Sequence, residues 1–238
     1  MCGRFAQPRS AEDLARIFNA RPATDLAGGR FNVAPTDPLA AVVEHHGERV
    51  VDAFHWGLVP AYAESARGAA RLVNARAETV EESPAFRTSF KHRRCLIPAD
   101  AFYEWRHHPA PRTQRGVRSE PFAIRLAADE PMAFAGLWAA WRDPASAERR
   151  YTACIVTGPP NDLVARIHDR MPVIVHPDDW ATWLAEDAPA EELRPLLRPA
   201  PAEGMRLYAV SPAVNNVRSD GPELLAPLSR WQSELWPA

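Results

Sequence analysis

Residues 94–105 read RCLIPADAFYEW. Two short apolar and aromatic runs, 94–98 and 101–105, are separated by turn-forming residues, the pattern of successive short strands. The same pattern recurs outward in both directions. Residues 122–126 (FAIRL), 132–138 (MAFAGLW), 151–157 (YTACIVT), 171–175 (MPVIV) and 206–211 (RLYAVS) read as further strands. Upstream, LAAVV (39–43) and RVVDAFHW (49–56) flank EHHGE and predict a hairpin. Helical patterns are fewer. In SAEDLARIF (10–18), Ser10 is placed to cap, with Asp13 three residues on and Leu14, Ile17 and Phe18 marking one face. NDLVARIH (161–168) predicts a short helix capped by Asn161, with Leu163, Val164 and Ile167 inward and His168 at its end. PDDWATWLAE (177–186) and AEELRPLLR (190–198) predict surface helices, and HHPAPRTQRGVRSE (107–120) a surface loop. Many short strands with irregularly placed helices indicate an α+β fold built on a curved mixed sheet or β-barrel-like core with peripheral helices, not a regular βαβ array.

Bulk properties narrow the function classes. A chain of 238 residues, 46% hydrophobic and 24% charged, can bury a substantial core as one domain spanning residues 1–238. No apolar run approaches the roughly 20 residues needed to cross a bilayer, so no membrane role is expected. The N-terminus carries no export signal, since Arg4 interrupts any apolar run, and the expected location is the cytoplasm. Three cysteines, Cys2, Cys95 and Cys154, without CxxC spacing predict neither a disulfide framework nor a cysteine-rich zinc site. The pairs His45–His46 and His107–His108 read as solvated turns, so no metal and no cofactor is expected. Net charge is −2, which removes the global basic field of a non-specific nucleic-acid binder. One local basic cluster remains in FRTSFKHRRC: Arg87, Lys91, Arg93 and Arg94. Lys91 is the single lysine, so amine-based covalent chemistry is confined to Lys91 or a free N-terminus.

Four segments carry candidate chemistry. MCGRF places a cysteine after the initiator methionine, and removal of Met1 would leave an α-amine and a thiol on one residue, Cys2. RLVNARAET offers Asn74 and Arg76, AFYEWR places Glu104 between Tyr103 and Trp105, and ARIHDRMP sets His168 beside Asp169 and Arg170. Taken singly each has an ordinary reading. A glutamate in an aromatic strand faces solvent on the opposite pleat, a histidine at a helix end caps or packs, an asparagine before a strand makes a turn, and Arg76 pairs with a surface carboxylate such as Glu78.

As a set, MCGRF, RFNVAPT, HWGLVP, LVNARAETV, RRCLIPADAFYEW, AGLWAAW, IHDRMPVIV and DGPELL follow the order found in the SOS response-associated peptidase-like (SRAP) family, which the chain resembles from Cys2 to about Leu225. The resemblance implies the SRAP α+β fold. It implies binding to single-stranded DNA containing abasic sites, acting as a monomer, with covalent capture of the ring-opened sugar through Cys2 and an associated lyase or self-processing activity. By position in the motifs, it implies catalytic roles for Cys2, Asn74, Glu104 and His168 and DNA contacts from Arg4, Arg76, Pro35, Thr36, Trp105 and Thr157. Glu104 is expected to be desolvated by its aromatic flanks and to shuttle a proton. One departure stands out: after WGLVP the family commonly carries tryptophan, where this chain has Tyr62. Three other readings stay open: an N-terminal-nucleophile cysteine amidohydrolase, whose domains also begin MCG; a thiol protease using Cys2, His168 and Asn74; and a non-catalytic module binding nucleic acid through its arginines.

Overall fold

The computed structural model describes residues 2–23, 29–108 and 118–228. Among the described residues, thirteen strands fall into two sheets. Five long ones form a barrel: β4 (Pro38–His45), β5 (Glu48–Trp56), β7 (Arg94–Ala99), β10 (Met132–Arg142) and β11 (Arg149–Gly158). They run in the order β11-β10-β7-β4-β5 with antiparallel neighbours, and a parallel pairing of β5 with β11, Thr152 opposite His55 and Ala153 opposite Trp56, closes the ring. Closure removes the free edges that an open sheet of this size would expose. Three short strands attach to it: β2 (Arg21–Pro22) on β5, and β6 (Asn74–Arg76) and β12 (Met171–Pro172) on β11. The second sheet has the order β13-β9-β8-β1-β3, from β1 (Phe5–Gln7), β3 (Arg30–Val33), β8 (Ala101–His108), β9 (Arg118–Leu126) and β13 (Met205–Ala209).

Local chemistry explains the main elements. The β4–β5 hairpin turns through His46 and Gly47, both at positive φ (52° and 79°), as a two-residue turn matched to strand twist requires. Helix α1 (Ala11–Ile17) begins where the Ser10 hydroxyl accepts from the Asp13 N–H at 3.1 Å. It packs Leu14 and Phe18 onto the outside of the barrel, along with α2 (Arg87–His92) through Phe90 and α3 (Trp180–Leu184) through Trp183 and Leu184. A last short helix, α4 (Ala190–Leu193), adds Leu193. A second cluster fills the barrel and the seam with the other sheet; it contains Cys2, Phe5, Trp56, Ile97, Phe102, Phe134 and Ile155.

Gln7 fastens the N-terminal strand to the barrel. Its buried amide donates to the carbonyls of Ala40 (2.9 Å) and Pro98 (2.7 Å) and accepts from Ala40 N–H (2.7 Å). All three bonds cross between sheets, which sets the height at which residues 2–4 emerge.

Several expectations need correction. Residues 107, 108 and 118–120 are paired strand, with His107 opposite Ser119, so both ends of the expected loop belong to strands; residues 109–117 lie outside the described residues. His107 is therefore a strand residue and not part of a turn. The 161–168 helix contracts to a single 3-10 turn, Val164–Arg166, whose N-cap is Leu163 and not Asn161; the Asn161 side chain still accepts from Val164 N–H at 3.0 Å, and Val164 alone of the three apolar residues is fully buried. The MPVIV strand pairs only at Met171–Pro172, with an isolated bridge at Ile174. Arg94 leaves the basic cluster altogether. It is buried, and its guanidinium donates to backbone carbonyls of Phe90, Lys91, Trp183, Ala185 and Glu186, tying α2 to α3.

Candidate functional site

Cys2 precedes β1, which lies between β8 and β3, so the first residues of the chain are held in the middle of a sheet. The Arg4 carbonyl accepts from Tyr103 N–H at 2.9 Å, and Cys2 itself is 0% exposed. Asn74, on β6 and opposite Ile155 of β11, donates its Nδ2 to the Cys2 carbonyl at 2.8 Å. The Asn74 Oδ1 is buried and meets no donor among the described residues. Burial, seconded by the Glu104 carboxylate, pushes the Cys2 thiol well above its ordinary range, so it rests protonated.

Glu104 lies on the same pleat of β8 as Phe102 and faces the barrel, while Tyr103 and Trp105 pack on the far side of the sheet. It is 3% exposed, and burial pushes its carboxyl up to about 8, with the nearby Asp169 charge acting in the same direction. The ordinary reading of a solvent-facing glutamate therefore fails.

His168 follows the 3-10 turn, its Nε2 3.6 Å from Glu104 Oε2 and its Nδ1 3.2 Å from Asp169 Oδ1. Burial lowers its pKa, partly offset by the Arg170 backbone and the Asp169 charge. At neutral pH the two facing groups are thus a protonated carboxyl and a neutral imidazole. Arg170 pins this segment by a two-pronged contact to Glu78 and a hydrogen bond to the Thr157 carbonyl. Glu104, His168, Trp105, His107, Ser119 and Asn215 line a cleft of about 520 Å³.

The remaining sequence candidates fall into three groups. Arg4 and Trp105 meet each other: the guanidinium carbon lies 5.8 Å from the indole centroid, and Arg4 Nη1 is already engaged by Asn32 Oδ1 (2.9 Å) and the Val214 carbonyl (2.7 Å). Arg76 and Thr36 are exposed and Pro35 is half-buried. Thr36 holds a φ of +76°, a strained value for a β-branched residue. Thr157 is 0% exposed, its hydroxyl 3.4 Å from the Ala75 carbonyl and from Arg170 Nη2, and its backbone pairs with Arg76 of β6. Tyr62 is 69% exposed. A larger groove of about 1150 Å³, lined by residues including Leu126, Met132, Trp180 and Met205, holds none of the candidates. Among the described residues no cluster of three or more His, Cys, Asp or Glu could hold a metal ion.

Sequence reasoning missed Asn32, His107, Asn215 and the structural task of Arg170. Asn32 had one available signal, an amide residue inside the apolar run FNVA, where strands rarely place asparagine.

Known proteins similar to this chain match most of its length. The chain is 36% identical over 230 residues to the Bacillus subtilis protein named abasic site processing protein YoqW, covering 94% of this chain and 99% of that one. It is 28% identical over 235 residues to abasic site processing protein YedK of Escherichia coli, covering 96% and 100%. Over 271 residues it is 31% identical to abasic site processing protein HMCES of Gallus gallus, covering 96% and 78%. A solved Bacteroides thetaiotaomicron structure shares the fold, with a TM-score of 0.85 at 23% identity over 96% of this chain and 100% of that one. A Bordetella bronchiseptica structure matches at 0.73 and 28% over 88% and 100%. No helix among the described residues is long and apolar enough to cross a membrane. The SOS response associated peptidase (SRAP) model matches residues 1–217, and the chain belongs to that family.

Proposed function

We propose that the protein captures abasic sites in single-stranded DNA by closing a thiazolidine between Cys2 and the sugar, acting as a monomer. The observation that carries this reading is the anchoring of the chain's second residue: Asn74 Nδ2 holds the Cys2 carbonyl at 2.8 Å, within the electrostatic reach of a largely protonated Glu104. Relatives named for abasic-site processing support it.

An abasic deoxyribose equilibrates between a closed hemiacetal and an open aldehyde. Glu104, holding its proton near neutrality, donates to the ring oxygen as the ring opens. With Met1 removed, the Cys2 α-amine, of ordinary pKa about 7.7–8.0, attacks the C1′ carbonyl, and loss of one water gives the imine. Asn74 Oδ1 accepts from that amine while Nδ2 fixes the carbonyl behind it. The sulfur then adds to the imine carbon and the nitrogen gains a proton, so one C–S bond forms and no redox partner is needed. Ring closure within one residue carries a large effective molarity, which accounts for durability. His168, neutral beside Glu104, relays protons to and from the sugar hydroxyl. Arg76 and the free part of the Arg4 fork take phosphates, Trp105 offers a stacking face, and Thr36 and Pro35 border the strand. The missing base makes presentation of the sugar inexpensive. The same imine also permits β-elimination, a lyase outcome.

The test mixes protein with a uracil-glycosylase-treated single-stranded oligonucleotide and resolves products on a denaturing gel. A heat-resistant protein–DNA band is expected from the native chain, none from Cys2→Ala, and a short-lived one from Cys2→Ser. A crosslink of native yield and durability from Cys2→Ala would sink the proposal.

A further inference from the structure

We infer that Asn32 is a positioning residue for the DNA cleft, one buried amide fixing both the Arg4 guanidinium and the segment that holds the Trp105 indole; the inference rests on the abasic-site reading above. Asn32, on β3, is fully buried. Its Oδ1 accepts from Arg4 Nη1 at 2.9 Å. Its Nδ2 donates to the carbonyls of Ser219 (2.8 Å), Asn216 (3.1 Å) and Val214 (3.4 Å). The Val214 carbonyl accepts from Arg4 Nη1 as well, at 2.7 Å, so guanidinium, amide and loop form one closed set.

Between those anchored carbonyls stands Asn215, exposed, whose Oδ1 accepts from Trp105 Nε1 at 2.7 Å and which lines the cleft with Glu104 and His168. Trp105 is thus held from two sides, by the Asn215 bond at its edge and by Arg4 near its ring face. Asn32 touches neither the ring nor the cleft, yet both supports of the ring run through it. Neighbouring residues brace the same loop: Arg30 Nε pairs with Asp220 Oδ2 at 2.6 Å, and Phe31 N–H donates to Asp220 Oδ1.

The chemistry requires an amide. An aspartate at position 32 keeps a partner for Arg4 but turns a second acceptor toward three carbonyls, releasing the loop. A leucine leaves all four groups without their partner in a dry environment.

The expected consequence is loss of DNA capture without loss of chemistry. Single-turnover crosslinking to the abasic oligonucleotide, measured against DNA concentration, separates the two. Asn32→Asp and Asn215→Ala should each raise the half-saturating concentration by about tenfold, the scale of a lost stacking platform, with the limiting rate changed less than about twofold. The double variant should be no worse than the poorer single one, because both act on Trp105. Asn215→Ala, on the surface, keeps the test open if Asn32→Asp unfolds. An unmoved half-saturation in Asn215→Ala, a limiting rate that falls alone, or effects that multiply in the double variant would each overturn the inference. Cys2→Ala run in parallel separates the two failures: a crosslink surviving it sinks the abasic-site reading, whereas a Cys2-dependent crosslink without the split sinks only the role of Asn32.

Discussion

Moving the Glu104 carboxyl from water into the barrel end raises its titration from 4.5 to about 8, and the stability consequence has a definite sign. The folded chain binds this proton more tightly than the unfolded chain. The contribution is therefore fully present below about 4.5 and is lost as pH rises through about 8, at no more than about 1.4 kcal/mol per pH unit. Urea midpoints between pH 5 and 8 should fall in the native protein, and Glu104→Gln should flatten that slope. Crosslinking should slow above about pH 8, where the proton donor is lost. Thr36 offers a second test at the same scale. Its φ of +76° suits glycine, so Thr36→Gly should stabilise the fold by about 1 kcal/mol, read as a rise in urea midpoint. If the threonine hydroxyl borders the DNA, the same substitution should weaken capture, so strain and binding would be traded at one residue.

At the scale of elements, β1 is hydrogen-bonded to the barrel through the Gln7 amide, beside the packing of Phe5 on Trp56 and Phe134. Gln7→Ala strands the Ala40 N–H and two carbonyls in the interior and should cost about 3 kcal/mol, measured by urea unfolding. Crosslinking should fall further than stability explains, because Cys2 loses its register against Asn74. The strands were legible because runs such as FAIRL and YTACIVT are bounded by turn residues, and the Ser10 cap because its partner lies three residues away. A barrel-like core was expected from the many short strands, but the manner of its closure was not legible. It rests on two residue pairs joining β5 to β11, nearly 100 positions apart, and no local pattern announces them. Glu104 was legible as a candidate but its surroundings were not, since alternation along β8 does not say which pleat meets the barrel. Arg94 looked like a surface charge for a similar reason: a guanidinium capping five carbonyls at a helix junction leaves no trace in composition.

The whole molecule carries a net charge of −2, so attraction to DNA must be local. With Arg76 and part of Arg4 as the phosphate contacts, the logarithm of affinity should fall with that of salt at a slope of about −1 to −2, well short of a basic nucleic-acid binder. A titration series across salt concentrations checks this, and a slope beyond about −4 would mean that a much larger surface is engaged. The location of β1 also bears on biosynthesis. Its partners on either side are β3 and β8, and the second of these begins at Ala101, so β1 cannot complete its pairing until about 100 further residues have been made. At roughly 5–20 residues per second, the ribosome leaves β1 without its β8 partner for some 5–20 s. The release of the Cys2 amine that the proposed chemistry requires is easiest in that interval, because in the fold Cys2 is enclosed. A leader grafted ahead of it and cut only after purification should resist its protease, while one removed during translation should yield the fully competent protein.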